Sequence, residues 1–243
     1  MANESLRSLS TLRTAVRANL DEATAAFWTN AQLLIYLNRS KNRVWREVRK
    51  LKEDFFLIQR TSTDGALTIL GESYTASSFA IVAGTRTYTL PPDFVEMKLI
   101  EVTTSGYEFV RFQHLDLAKP EHRALRRLTD QYAPSVFIFD LIGSVTMTIA
   151  PLSNNTALDL RLSYIRRIAD LADDTDVLDV PYELADAVEA YATAAALKQD
   201  RAPEAATWEA TGREIVASAI GSSARQITDP VFVDAFLGEW EGW

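Results

Sequence analysis

The chain has no cysteine at all. That excludes thiolate catalysis, disulfides, iron–sulfur clusters and cysteine-ligated zinc, and it fits assembly in a reducing compartment. Histidine is almost as scarce. His114 and His122 are the only two in 243 residues, and their separation does not put two metal ligands on one helical turn. Nine glycines are scattered so that none forms G-x-G-x-x-G or a Walker A loop, which removes the usual phosphate cradles. No serine occupies a G-x-S-x-G elbow. No run approaches the ~18 apolar residues of a membrane span, so no membrane association is expected. Arg7, Arg13 and Arg17 break up the apolar positions of residues 1–20, and no secretory leader is expected there. No catalytic, cofactor-binding or metal-ligating residue is singled out, and no enzymatic activity is expected.

What remains has ordinary globular proportions, with 47% hydrophobic and 24% charged residues. The formal net charge is −8. A DNA-wrapping module is normally basic, yet an acidic wall that repels phosphate lets DNA slide past, so net charge does not decide between the two.

Helical periodicity dominates both ends. Leu9, Leu12, Val16 and Leu20 share one face. Thr29 followed by Gln32 has capping-box spacing, with Trp28 and Leu33 placed for a hydrophobic staple. Leu34, Leu37, Val44, Val48 and Leu51 continue an apolar face that Asn38 and Lys41 interrupt. A third helix is expected from Pro181, with an apolar face of Leu184, Val188, Tyr191 and Ala195 and many alanines that suit close packing. A fourth is expected from Pro203 through Trp208, Ile215 and Ala219 to a C-cap at Gly221.

Between these ends the chain is rich in Thr, Val, Ile, Tyr and Phe and punctuated by Gly and Pro. Strands are expected near 66–70, 79–82, 86–90, 95–103, 107–112, 136–140, 144–149 and 158–165. Val145, Met147 and Ile149 alternate with threonines, and Leu158, Leu160, Leu162 and Tyr164 alternate with polar residues, as half-buried strands do. Residues 114–129 are expected to form a short helix.

Three features could carry function. Between 39 and 52 the local charge is +6, so the remainder of the chain carries −14. Arg39, Arg43, Arg46 and Lys50 fall at spacings that form one stripe, suited to an acidic neighbour subunit or to phosphates. Residues 170–183 hold six acids and no base, among them Asp173, Asp174 and Asp176. They lack the turn glycine and the placed distal glutamate of a calcium loop, and they make a suitable counterpart to the stripe in a homo-oligomer. Finally, Phe232, Phe236, Trp240 and Trp243 recur at spacings of four, four and three in the terminal segment, as docking residues do.

The order of elements is more specific than any one of them. FWTNAQLLIYLNRSKNRVWREV (27–48), GTRTYTLPPDFVEM (84–97), YAPSVFIF (132–139), VTMTIAPLS (145–153), LDLRLSYIRR (158–167) and VPYELADAVEAYATAAAL (180–197) follow one another. This succession resembles the head-to-tail adaptor, or connector, proteins of tailed bacteriophages. The resemblance implies an α+β fold in which N- and C-terminal helices build one bundle around a β-rich insertion. On that reading 1–54 and 170–224 form the bundle, 55–169 the insertion and 225–243 an extended C-terminal tail. It implies a non-enzymatic virion protein in the neck between capsid and tail, made in the host cytoplasm. It also implies a ring, typically dodecameric, beneath the portal protein. Such a ring contacts a tail or nozzle protein and passes genomic DNA. The aromatic tail would then dock on the portal. Two rivals remain open: a nucleic-acid-binding module using the basic stripe, and a cell-wall hydrolase using paired carboxylates, for which no spacing marks a pair.

Overall fold

The computed structural model describes residues 7–22, 27–82, 84–102, 112–114, 116, 119, 138–143, 145–150 and 158–225. All but Phe112 of the expected strand at 107–112, most of the expected helix at 114–129 and the aromatic tail lie outside the described residues. The fold is α+β. The chain divides into two compact units, Met1–Lys52 with Leu171–Trp243, and Glu53–Asp170.

The first unit is helical. α1 (Leu9–Asn19) is capped by Ser8, whose hydroxyl accepts from the Thr11 amide, and it buries Leu9, Leu12 and Val16. It ends where Asp21 enters the left-handed region at φ 53°. α2 (Asn30–Leu51) starts with both halves of the Thr29–Gln32 capping box in place, which satisfies two otherwise orphaned amides. Its buried face holds Leu33, Tyr36, Leu37, Val44 and Val48, and it takes in Ser40 and Lys41 as well. Asn38 is the polar interruption with a purpose: its carboxamide donates to the Leu171 carbonyl and accepts from the Leu171 amide, both at 2.9 Å. α3 (Tyr182–Gln199) is buried almost all round, from Leu184 to Ala196. A helix enclosed by neighbours needs small residues, and its alanines supply them. α1, α2 and α4 (Ala205–Arg225) all pack on it.

Two helix ends differ from expectation. Pro181 is the N-cap of α3, at ψ 139°, rather than its first helical residue. Gly221 does not stop α4, which continues to Arg225. Gly221 is not among the glycines with positive φ, so it takes ordinary helical geometry and forms no left-handed cap.

The second unit is built from β-sheets. After a 3-10 turn at Glu53–Phe56 come β1 (Leu57–Thr61), β2 (Ala66–Ile69), β3 (Glu72–Thr75), β4 (Thr87–Thr89) and β5 (Phe94–Val102). β6 (Gln113–His114), β7 (Ile138–Ile142), β8 (Thr146–Ala150) and β9 (Leu160–Arg166) follow. β9 lies between β1 and β5, both antiparallel to it. A second sheet has the order β4-β8-β7-β6, with β6 parallel to β7. β2 and β3 form a hairpin. Ser163 and Ile165 are buried alongside the alternating Leu160, Leu162 and Tyr164, so β9 is covered on both faces over these residues, where the alternation predicts one. Val145, expected on a buried face, precedes β8 and is 58% exposed.

Residues 76–79 form a 3-10 turn where a strand was expected from 79, and Ile81 makes only a single bridge to Leu158. His114 lies in β6, not at the start of a helix. The YTLPPDF stretch joins the two sheets. The Tyr88 hydroxyl donates to the Thr85 carbonyl and accepts from the Val82 amide. Phe94 N–H then closes the turn on the Pro91 carbonyl. Asp93 is 3% exposed and accepts from the hydroxyl of fully buried Tyr164 at 2.8 Å.

Candidate interaction surfaces

The outward face of α2 consists of Ala31, Ile35, Arg39, Asn42, Arg46 and Lys50, all exposed. It is aliphatic toward its start and basic toward its end. Among the described residues, none of Arg39, Arg46 and Lys50 is paired with a carboxylate; the Arg46 Nε donates to the Asn42 carbonyl of its own helix.

Arg43, the fourth base of the expected stripe, is engaged inside the bundle. At about 100° per residue it sits ~40° round the helix from Arg39, on the side away from Arg46. Its Nε donates to Glu47 at 2.8 Å and its Nη2 to Glu209 at 2.9 Å. Its guanidinium lies 4.0 Å from the centre of the Tyr191 ring, a cation–π distance. Burial pulls its pKa down, but the bonds to Glu47 and Glu209 more than offset that and leave it above its ordinary value. The Tyr191 hydroxyl donates to Glu47 at 2.6 Å, and burial followed by the Glu47 charge pushes its pKa up.

Glu209 also accepts from Lys198 and from Arg213. Lys198 first, then Arg43, hold its pKa well below the usual carboxylate range, at about 2. A Cβ at Gly212 would stand 2.6 Å from the Tyr191 ring, so this mid-helix glycine is what lets α4 close on α3. No motif or spacing in the sequence marks Gly212, Glu209 or Glu47. The available signal was a lone glycine inside an otherwise helical pattern.

The acidic segment is folded onto the start of α1. Leu9 N–H donates to the Asp176 carbonyl at 2.8 Å and Leu178 N–H to the Arg7 carbonyl at 2.9 Å. Asp174 is paired with Arg13, yet its side chain remains 68% exposed. Asp176 caps its own turn by accepting from the amides of Asp173 and Ala172, which lowers its pKa. Asp173 is exposed. Arg7 reaches Asp186 at 2.6 Å and also Glu189, and it stacks over Tyr182. Burial pushes the Glu189 pKa up against the opposing pull of Arg7. The contacts of Arg7, Ser8, Ser10 and Arg13 thus bring Asp174, Val177, Tyr182 and Asp186 around the start of α1, an acidic corner to which exposed Asp173 and Glu183 are joined as chain neighbours.

The other buried carboxylates serve structural partners. Asp93 holds Tyr164, and Glu101 holds Arg161 across the β5–β9 ladder at 2.6 Å. A pocket of about 430 Å³ beside β5 is lined mainly by apolar residues, with His114 at its wall. His122 and the four tail aromatics lie outside the described residues. Among the described residues no cluster of three His, Asp or Glu is placed to hold a metal, and no helix is long and apolar enough to cross a membrane.

Two comparisons with known proteins bear on these surfaces. The family model described as SU10 adaptor protein matches residues 7–233, which takes in both units. No curated protein matches the chain.

Proposed function

The chain belongs to the SU10 adaptor protein family, a family of phage head-to-tail adaptors, and on that premise we propose that it forms a closed ring beneath the portal. The ring has twelve copies, extends the DNA channel and receives the tail or nozzle protein on its far side. It has a structural role in the virion neck and performs no catalysis. The observation that carries this reading is the family match from residue 7 to residue 233, continuous across the helical ends and the β insertion.

The geometry supports it in two ways. Among the described residues the buried carboxylates Asp93, Glu101 and Glu189 are each bound to a partner within the chain, which suits a structural role. An overall acidic chain, at −8, also suits a conduit that does not grip phosphate. Cryo-electron microscopy of assembled particles tests the reading. The expected result is a ring of this chain between portal and tail; density for it elsewhere in the particle, or its absence from the particle, contradicts it.

A further inference from the structure

We propose that the outward face of α2 is a lateral interface and that its occupant is the acidic corner of a second copy of this chain. The inference rests on the ring reading above and names the surfaces that build it. The basic half of the face presents Arg39, Arg46 and Lys50, exposed and without a carboxylate partner among the described residues. Its aliphatic half presents Ile35, 48% exposed.

The corner has the matching composition. Asp173 and Glu183 are exposed, and Asp174 and Asp186 keep more than half of their side-chain surface in solvent although Arg13 and Arg7 bind them from within. Between these acids Val177 and Tyr182 offer apolar area, 44% and 40% exposed. Each surface therefore joins one sign of charge to an apolar area, and the signs are opposite.

Two physical arguments favour a second copy as the occupant. Copies that each carry −8 repel one another, so association needs opposite charges placed in register. A contact between two different patches of the same chain is heterologous, and a heterologous contact repeats around a closed ring. Arg7 and Arg13 bind Asp186 and Asp174, while the Asp173 and Glu183 side chains have no basic partner among the described residues and are left for a second copy.

Charge exchange tests the proposal. One variant carries R39E, R46E and K50E, another D173K and E183K, and a third carries all five. All are exposed positions, and thermal unfolding by circular dichroism checks that each variant folds. Association is measured by native mass spectrometry and sedimentation, for the chain alone and with portal. Each partial variant is expected to lose about tenfold or more in association, and the five-fold variant to recover it.

Because the chain has no cysteine, I35C with V177C gives a clean second readout: oxidation is expected to produce a covalent ladder only when both are present. Association that is indifferent to the reversals, or not restored by the exchange, overturns this interface while leaving the ring intact. Tight duplex DNA binding with a steep salt slope, lost in the first variant, assigns the face to phosphate and also overturns it. A chain that stays monomeric at every concentration and with portal overturns both the interface and the ring.

Discussion

The helical unit and the β unit solve the same problem with different atoms. In a helix the backbone hydrogen bonds are used within the helix itself, so nothing in the main chain sets how one helix lies against the next. In α2, α3 and α4 that task falls to side chains: Arg43, Glu47, Tyr191, Lys198 and Glu209 bind across the three helices, and Gly212 lets Tyr191 in. In a sheet the ladder itself sets the register. The β unit therefore relies on β1-β9-β5 pairing and an apolar core, to which polar contacts such as Asp93 with Tyr164 and Glu101 with Arg161 are added. The helical unit can be followed by itself, because all five tryptophans lie outside 53–170 and the β unit contributes no indole signal.

The largest expected effect is at the helical keystone. Tyr191→Ala should cost about 3–5 kcal/mol, the usual range for an emptied aromatic site, read as a shift in the urea midpoint by tryptophan fluorescence. A cost under ~1 kcal/mol would show that the charged network registers the helices without the ring.

In the β unit, Tyr164→Phe leaves a buried carboxylate without its donor and should cost about 1–3 kcal/mol. Asp93 and Tyr164 exchanged together for Asn and Phe should cost less than the sum of the single changes. Strict additivity would mean that the pair is not coupled.

Gly212→Ala gains about 1 kcal/mol of helix propensity but drives a methyl into the Tyr191 ring, at a cost of about 1–3 kcal/mol for overpacking. The net expectation is a modest loss that Tyr191→Leu relieves. A stabilising Gly212→Ala would contradict the close approach.

Acid separates the two units by sign. Glu209 is depressed to about 2, so its contribution to stability is present above the unfolded value, roughly 4.3, and is lost as pH falls from there through about 2. Asp93 is raised by burial, so its ionisation weakens the fold as pH rises, and protonation relieves it. Glu189 is raised for the same reason and partly offsets Glu209 in the bundle. Tryptophan fluorescence should therefore report loss of structure between roughly pH 4 and 2, and Glu209→Gln should flatten that transition. An unchanged acid limb in Glu209→Gln would break the comparison.

The smallest effect belongs to the outward face. Neutralising Arg39 or Lys50 singly should change stability by no more than about 0.5 kcal/mol, the normal range for exposed sites. Neutralising Arg43 should cost considerably more, although the four bases look equivalent in sequence.

That contrast marks how far the sequence could be read. Spacing placed Arg39, Arg43, Arg46 and Lys50 on one stripe, but a stripe some 60° wide straddles the edge where α3 and α4 begin, and only the packing decides which base turns inward. The start of α2 was legible because Thr29 and Gln32 carry a local signal, and β9 was legible through Leu160, Leu162 and Tyr164. β1 and β3 were missed for want of such signals. β1 reads Leu-Ile-Gln-Arg-Thr and buries none of its five residues deeply, so its sequence carries no apolar–polar alternation. The β2–β3 turn is Leu70-Gly71 with both residues at positive φ, a geometry normally announced by Asn-Gly or Asp-Gly. The acidic segment was visible as composition, but its attachment to Arg7 through Leu178 and to Arg13 through Asp174 joins residues some 160 to 170 positions apart, and no local pattern encodes that.

The mass of the purified chain, measured alone and after mixing with its portal protein, tests the ring account most directly. The account predicts a closed multimer, of twelve copies on the portal. A chain that remains a monomer and never binds portal would contradict it.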